Sequence, residues 1–372
     1  MKVYPKIYSR DSHGKIRVWW MEQDDNKYRT ISGTQDGEKV TTNWTIVEGK
    51  NVGRSNQTSD IEQAEKEVSA KYKDQLSTGY FEDIAKVDEK LYFEPMLAFK
   101  YENYADKIDW SKGNYVSEKM DGLRCILTKN GSTSRNGKKL VSFPHILESL
   151  RGLFEKCPYL VLDGEIYCDR LSDNFNKIIS LAKKTKPTLE DLEESKQYIQ
   201  FWVFDAPSCP GGFHDRYLFL CDLINKYLPN NKYIKICCHE LIDKPEKIEE
   251  KLQEYISLGF EGLMLNTFGG KYEQKRSKNL LKYKKFQDCE AEVLDIVEGV
   301  GNRSGMFGYA ILMLDNGKTF NSNARGDEFL YKQILENKTK YIGKTATIRF
   351  QALTPDGIPR FPIIVDFNRL DT

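Results

Sequence analysis

Five short charged or aromatic segments, each set against the end of an apolar run, constrain this chain most. Lys119-Met120-Asp121-Gly122-Leu123-Arg124 follows a strand-like run at 115–118. A second carboxylate-bearing segment, Leu162-Asp163-Gly164-Glu165-Ile166-Tyr167, lies in the run 160–167. Phe204 closes the run 201–205, and Glu261 opens the run 262–266. In Leu281-Lys282-Tyr283-Lys284 the lysines stand two apart, which puts both on one face of a strand. A further strand is expected at 125–129, and helices at 188–198 and 245–258, the latter with Ile248, Leu252, Tyr255 and Ile256 inward. Strands and helices mixed in this order over residues 85–287 suit one large domain.

The flanks read differently. Residues 288–372 hold short alternating runs at 290–297, 309–314, 318–320, 345–351 and 363–367, with one helix near 327–337. Asp315-Asn316-Gly317 and Pro355-Asp356-Gly357 are turn signals. Five strands and a helix are what a small Greek-key barrel of the OB type needs, and other five-stranded modules fit the same pattern. Residues 1–84 read as a small α+β module with strands at 16–21 and 42–47. A helix follows, in which Ser59 and Glu62 form a capping box and Ile61, Ala64, Val68 and Tyr72 keep one apolar face.

Charge gives an ambiguous signal. Lys plus Arg number 56 and Asp plus Glu 55, a net charge of +1 that argues mildly against a nucleic-acid partner. Locally the balance breaks: residues 271–286 hold seven basic side chains against the single acid Glu273. Acidic stretches such as 188–195 cancel that excess in the total without having to share its surface. No uncharged apolar run reaches the 18 or so residues of a membrane span, and the N-terminus lacks a secretory h-region. Cytoplasmic residence is expected, and no membrane partner. The eight cysteines form no CxxC pair and accompany only four histidines, so they are expected to be buried small hydrophobes in a reducing compartment rather than a zinc site.

A lone Lys-x-Asp-Gly is most often a surface turn with a solvated lysine. The five segments together, in this order and spacing, resemble the covalent nucleotidyltransferase superfamily, and with a barrel after them the ATP-dependent DNA ligases of small phage and viral type. The likeness begins at Pro95-Met96-Leu97-Ala98 and runs to the C-terminus. It implies an α+β multidomain fold: an N-terminal accessory module (1–84), a nucleotidyltransferase or adenylation domain with antiparallel sheets and helices (85–287), and an OB-fold β-barrel (288–372). The fragment KYKDQLSTGY, with Val52-Gly53-Arg54 loosely similar to the Trp-Gly-Arg signature, resembles the end of a WGR-type module found beside some DNA repair enzymes. An accessory module of unassigned role is the equal alternative.

The resemblance also assigns roles. Lys119 is the nucleophile that would carry AMP, and Arg124 would meet ribose or phosphate. Glu118 would help hold adenine, and Phe204 would stack on it. Arg135 matches a residue that reaches nucleotide or nick phosphate. Glu165 and Glu261 would serve Mg²⁺, with Mn²⁺ as a substitute. Lys282 and Lys284 would neutralise the ATP phosphates, and Lys285 would meet DNA. In 299–308 (GVGNRSGMFG) Arg303 would touch a DNA phosphate, and in Pro359-Arg360-Phe361-Pro362 Arg360 would orient pyrophosphate. Where the family usually has Lys or Arg five residues after the Glu261 position, this chain has Asn266. The expected partner is nicked duplex DNA, with an RNA strand as a variant substrate, and the expected state is a monomer.

Chemistry agrees with those roles. An amine can attack phosphorus and hold a phosphoramidate, but lysine near pKa 10.4 needs neighbouring cations or a divalent ion to lose its proton. An RNA ligase and an mRNA guanylyltransferase of the same superfamily are the alternatives. A non-catalytic DNA-binding scaffold is a third, opposed by the intact Lys119, Glu165, Glu261, Lys282 and Lys284.

Overall fold

A computed structural model describes the chain except residues 12, 90, 91, 169–174, 355 and 368–372. The chain parts into two compact units, residues 92–286 with 351–357 and residues 1–91 with 287–350 and 358–372.

The first unit is built on two sheets. One runs Lys139–Leu140, Gly131–Ser134, Leu123–Thr128, Leu162–Tyr167, Gln200–Asp205 and Ile234–Ile236. Its pairs are antiparallel except the last, which is parallel. Helix Pro144–Lys156 starts on a proline, whose fixed φ suits a first helical turn. Its Ile146 and Leu150 join Leu127, Leu162, Phe201 and Leu220 in one core. The other sheet runs Glu240–Ile242, Asn114–Lys119, Gly262–Thr267, Arg276–Tyr283 and Leu97–Lys100, again with one parallel pair at its edge. Helix Lys247–Ser257 buries Ile248, Leu252 and Tyr255 against it, as their spacing predicts, and Ile256 packs there half-buried. Thr188 caps helix Leu189–Tyr198 by accepting from the Asp191 amide at 3.2 Å.

In the second unit, Gln287–Glu298, Phe307–Met313, Thr319–Ala324, Ile363–Asp366 and Thr345–Phe350 close a five-stranded barrel around Val293, Phe307, Leu312 and Ile348. Helix Glu328–Glu336 supplies Ile334 to that core. The turn expected at Pro355 falls on a residue outside the described ones. The N-terminal residues form a sheet centred on Ile16–Asp24 and Lys27–Thr34, covered by helix Asp60–Ser77 with its reciprocal Ser59–Glu62 capping box. Of the strand expected at 42–47 only Thr45–Ile46 forms, and a separate short strand, Lys39–Thr41, ends just before it. Between them Thr42 ties to Thr30 through both its amide and its hydroxyl, the hydroxyl accepting from the Thr30 amide at 3.0 Å.

All eight cysteines are free, but only Cys125, Cys168 and Cys237 are buried, and Cys238 is exposed. The expectation of eight buried thiols therefore holds only in part: Cys157, Cys209 and Cys289 pack half-buried against the cores, and Cys238 is exposed. Among the described residues no helix is long and apolar enough to cross a membrane.

Candidate active site

Strand pairing gathers the predicted side chains. Lys119 is the last residue of its strand and stands opposite Gly262. The Glu261 amide donates to the Lys119 carbonyl at 2.9 Å, so the next carboxylate arrives beside the lysine, and the two side chains pair. Glycine is required at 262: its φ is +154°, and a Cβ there would meet the Tyr283 carbonyl oxygen at 2.3 Å. Glu261 also pairs with Lys284, one residue past the end of strand Arg276–Tyr283. Gln351 completes this group, accepting from Lys284 Nζ at 2.9 Å and donating to Glu261.

The second sheet provides the facing chemistry. Arg124 is directly across from Glu165, and Asp163 is its diagonal neighbour, within reach of a long side chain. Arg124 forks onto Asp163, with Nε and Nη2 each at 2.6 Å from a carboxylate oxygen. Its guanidinium lies 4.6 Å from the Phe204 ring centre. Gly122 lets the chain before Arg124 pass close to the neighbouring strand: a Cβ there would sit 2.4 Å from the Ile166 carbonyl oxygen. Next to Phe204, Asp205 binds the buried Arg216 at 2.7 and 2.9 Å, and Arg216 donates onward to the Gly270 carbonyl at 2.9 Å.

One cleft takes its lining from both sheets. Glu118, Lys119, Arg124, Arg135, Glu165, Phe204 and Lys282 all line it. Glu261 and Lys284 join it through Lys119. Lys285 instead pairs with Glu249 at 2.5 Å. Arg303, beside Tyr331, and Arg360, beside Phe361, belong to the other unit. Sequence reasoning missed Tyr272, His239, Cys237, Met264 and Arg276 in the lining, and Gln351 beside it. Asn266 does line the cleft, buried, as an uncharged group. Asp163, given no role from the sequence, lines the cleft and is fully buried. The signal was present: Asp163 and Glu165 stand two apart in one strand and so share a face.

Burial tunes these groups. It pushes the Lys119 amine below the usual lysine range, against the raising pull of Glu165 and Asp121. Neighbouring cations were expected to do this; Arg124 contributes, but desolvation is the larger cause. Burial raises the Glu165 carboxyl to about 7, offset in part by Arg124 and Lys119. Lys282 is lowered, first by burial and then by Lys119. Glu118 is raised by burial, with the Cys237 thiol 3.7 Å from its carboxyl.

A cleft that holds a half-buried lysine amine between carboxylates and a cation-backed aromatic ring can accept a nucleotide and carry it covalently. With the closed barrel further along the chain, this defines the class as covalent nucleotidyltransferases. Comparison with known proteins narrows it. The ATP-dependent DNA ligase domain matches residues 95–284, more than half the chain, and the DNA ligase OB-like domain matches 298–367. The chain belongs to the ATP-dependent DNA ligases. A DNA ligase of Haemophilus influenzae is 25% identical over 256 residues, covering 67% of this chain and 85% of that protein. A DNA ligase of African swine fever virus (strain Badajoz 1971 Vero-adapted) is 23% identical over 84% of this chain and 77% of its own length. A solved Lig E DNA ligase, described as binding DNA with a minimal scaffold, superposes with a TM-score of 0.62 at 26% identity, over 74% of this chain and 99% of its own. The RNA ligase and guanylyltransferase alternatives are not favoured by these matches.

Proposed function

We propose that this enzyme seals 5′-phosphate/3′-OH nicks in duplex DNA, with Lys119 as the residue that carries AMP. The observation behind this reading is the placing of Lys119, paired with Glu261, in a cleft that also holds Phe204, Arg124 and Lys282. In the first step Lys119 Nζ, once it has given up its proton, attacks the α-phosphorus of ATP; an N–P bond forms and the P–O bond to pyrophosphate breaks. Lys282 and Lys284 hold the charge of the phosphates, and Phe204 holds the base. In the second step the DNA 5′-phosphate displaces Lys119 and takes AMP. In the third the 3′-OH attacks that 5′ phosphorus and AMP leaves. Most of the acceleration is positioning and charge stabilisation. Arg135, Lys285 and Arg303 are assigned to the DNA backbone, and Arg360 to pyrophosphate.

Glu165 and Glu261 suit a divalent cation. Among the described residues no group of three or more ligating side chains occurs. Two carboxylates with phosphate oxygens and water are a Mg²⁺ set. When bound, the cation would add Lewis-acid neutralisation of phosphate charge.

The N-terminal module is read as a further DNA grip. Trp19 takes no part in such a grip, because it is buried in the module's core. Lys50 is paired with Glu67 at 2.8 Å. Trp20 with Lys6, and Trp44 with Lys27 and Arg29, remain as half-buried rings backed by cations at 4.5–5.2 Å.

The central test is incubation with ATP labelled at the α-phosphate. Label is expected on the wild-type chain and absent from Lys119→Ala; a labelled Lys119→Ala protein overturns the assignment. Sealing of a nicked duplex then reports the later steps.

A further inference from the structure

Below Phe204 four groups close a ring of hydrogen bonds. Arg124 forks onto Asp163; the Tyr272 hydroxyl donates to Asp163 Oδ2 at 2.5 Å. That same hydroxyl accepts from the Met96 amide at 2.9 Å, and the Met96 carbonyl accepts from Arg124 Nη2 at 3.2 Å. Asp163 is fully buried and Met96 nearly so. A buried carboxylate held by one fork alone leaves the guanidinium a swivel about Cγ of the acid; a second donor from a different segment removes it. Tyr272 comes from the loop before strand Arg276–Tyr283, and Met96 precedes strand Leu97–Lys100. Two segments outside the Arg124 sheet thus fix the plane of its guanidinium, which lies over Phe204.

We propose that Tyr272 is a positioning residue for AMP transfer to Lys119: through Asp163 it holds Arg124 in the single orientation that meets the bound nucleotide. The proposal rests on the ligase reading of the cleft. A guanidinium misplaced by about 1 Å costs rate far more than binding, because orientation is realised at the reacting phosphorus.

The test is Tyr272→Phe, which deletes one oxygen and leaves the ring against Phe93. Transfer of α-labelled AMP is measured across ATP concentrations, each protein held equally far below its own melting midpoint so that lost stability does not imitate lost rate. The expected result is a tenfold or greater fall in the rate at saturating ATP with less than a threefold change in the ATP concentration for half-maximal rate. In an Arg124→Lys background, where no fork exists to orient, Tyr272→Phe should change the rate less than twofold. An unchanged rate in the single variant, or the same tenfold loss in the Arg124→Lys background, overturns the proposal while the ligase reading stands. Absence of label on the wild-type chain removes the reading itself.

Discussion

The cleft between the two sheets and the barrel handle charge in opposite ways. Around the cleft, Glu118, Asp163, Asp205, Arg216 and His239 are all buried. The barrel core, from Ala291 to Ile364, holds no buried charge among the described residues, only the hydroxyl of Ser322, and the strand-to-strand ion pair of Arg349 with Asp288 lies half in solvent. Desolvating a charge is costly unless it is paired and hydrogen-bonded. The barrel keeps its charge outside the core. A region that must hold side chains in one orientation toward a phosphate accepts the cost, and offsets it with forks such as Arg124–Asp163 and Arg216–Asp205.

The sharpest way to break this contrast is at Arg216, which is 1% exposed. Replacing it with Ala leaves Asp205 buried and unpaired. Unfolding free energy should fall by about 3–5 kcal/mol, read from urea melts. The paired replacement Arg216→Met with Asp205→Leu should recover most of that stability without recovering AMP transfer, because Phe204 adjoins Asp205. Recovery of both would show that the pair serves stability alone.

A smaller effect is expected at His239. Burial lowers its pKa to about 4, below the free imidazole value of 6.5, while its Nδ1 lies 3.0 Å from the Cys237 carbonyl oxygen. Between those two values the unfolded chain binds the proton and the folded chain does not. Stability from this group is therefore complete above pH 6.5 and is lost as pH falls toward 4, by about 3 kcal/mol in all. Wild type and His239→Phe should diverge in their pH dependence only in that window. Parallel curves from pH 7 to 4 would remove His239 from the account.

How much of this was legible follows from what each signal depends on. The segments that meet at the cleft were readable because each carries its own local chemistry: Lys119 before Asp-Gly, Glu165 in its strand, and the alternating Lys282 and Lys284. The barrel was readable from turn signals and strand count. What escaped were partners fixed only by folding. Tyr272 sat within a run read for its charge, yet works through its hydroxyl. Arg216 lies on the helix Phe213–Tyr227 and looks, in sequence, like an exposed base among aromatics. Gln351 follows the barrel strand Thr345–Phe350 and has no local mark at all. Trp19 and Trp20 show the limit most clearly. Period two separates them onto opposite faces, but only the placement of helix Asp60–Ser77 decides which face is core.

The smallest effect is expected at the barrel's Arg349. Its guanidinium forks onto Asp288 with two 2.7 Å bonds, the same geometry as the forks in the cleft, and it sits directly across the strand pair from its partner. Exposure is what differs: the side chains are 50% and 42% exposed. Water and salt screen such a pair, and its rotamer freedom is given up to form it, so the net contribution is small. Arg349→Ala should leave the urea midpoint unchanged within error and AMP transfer intact, at low and at high salt. A loss approaching that of Arg216→Ala would mean that fork geometry, not burial, sets the cost of breaking a pair in this protein. The contrast between cleft and barrel would then reflect local bonding alone.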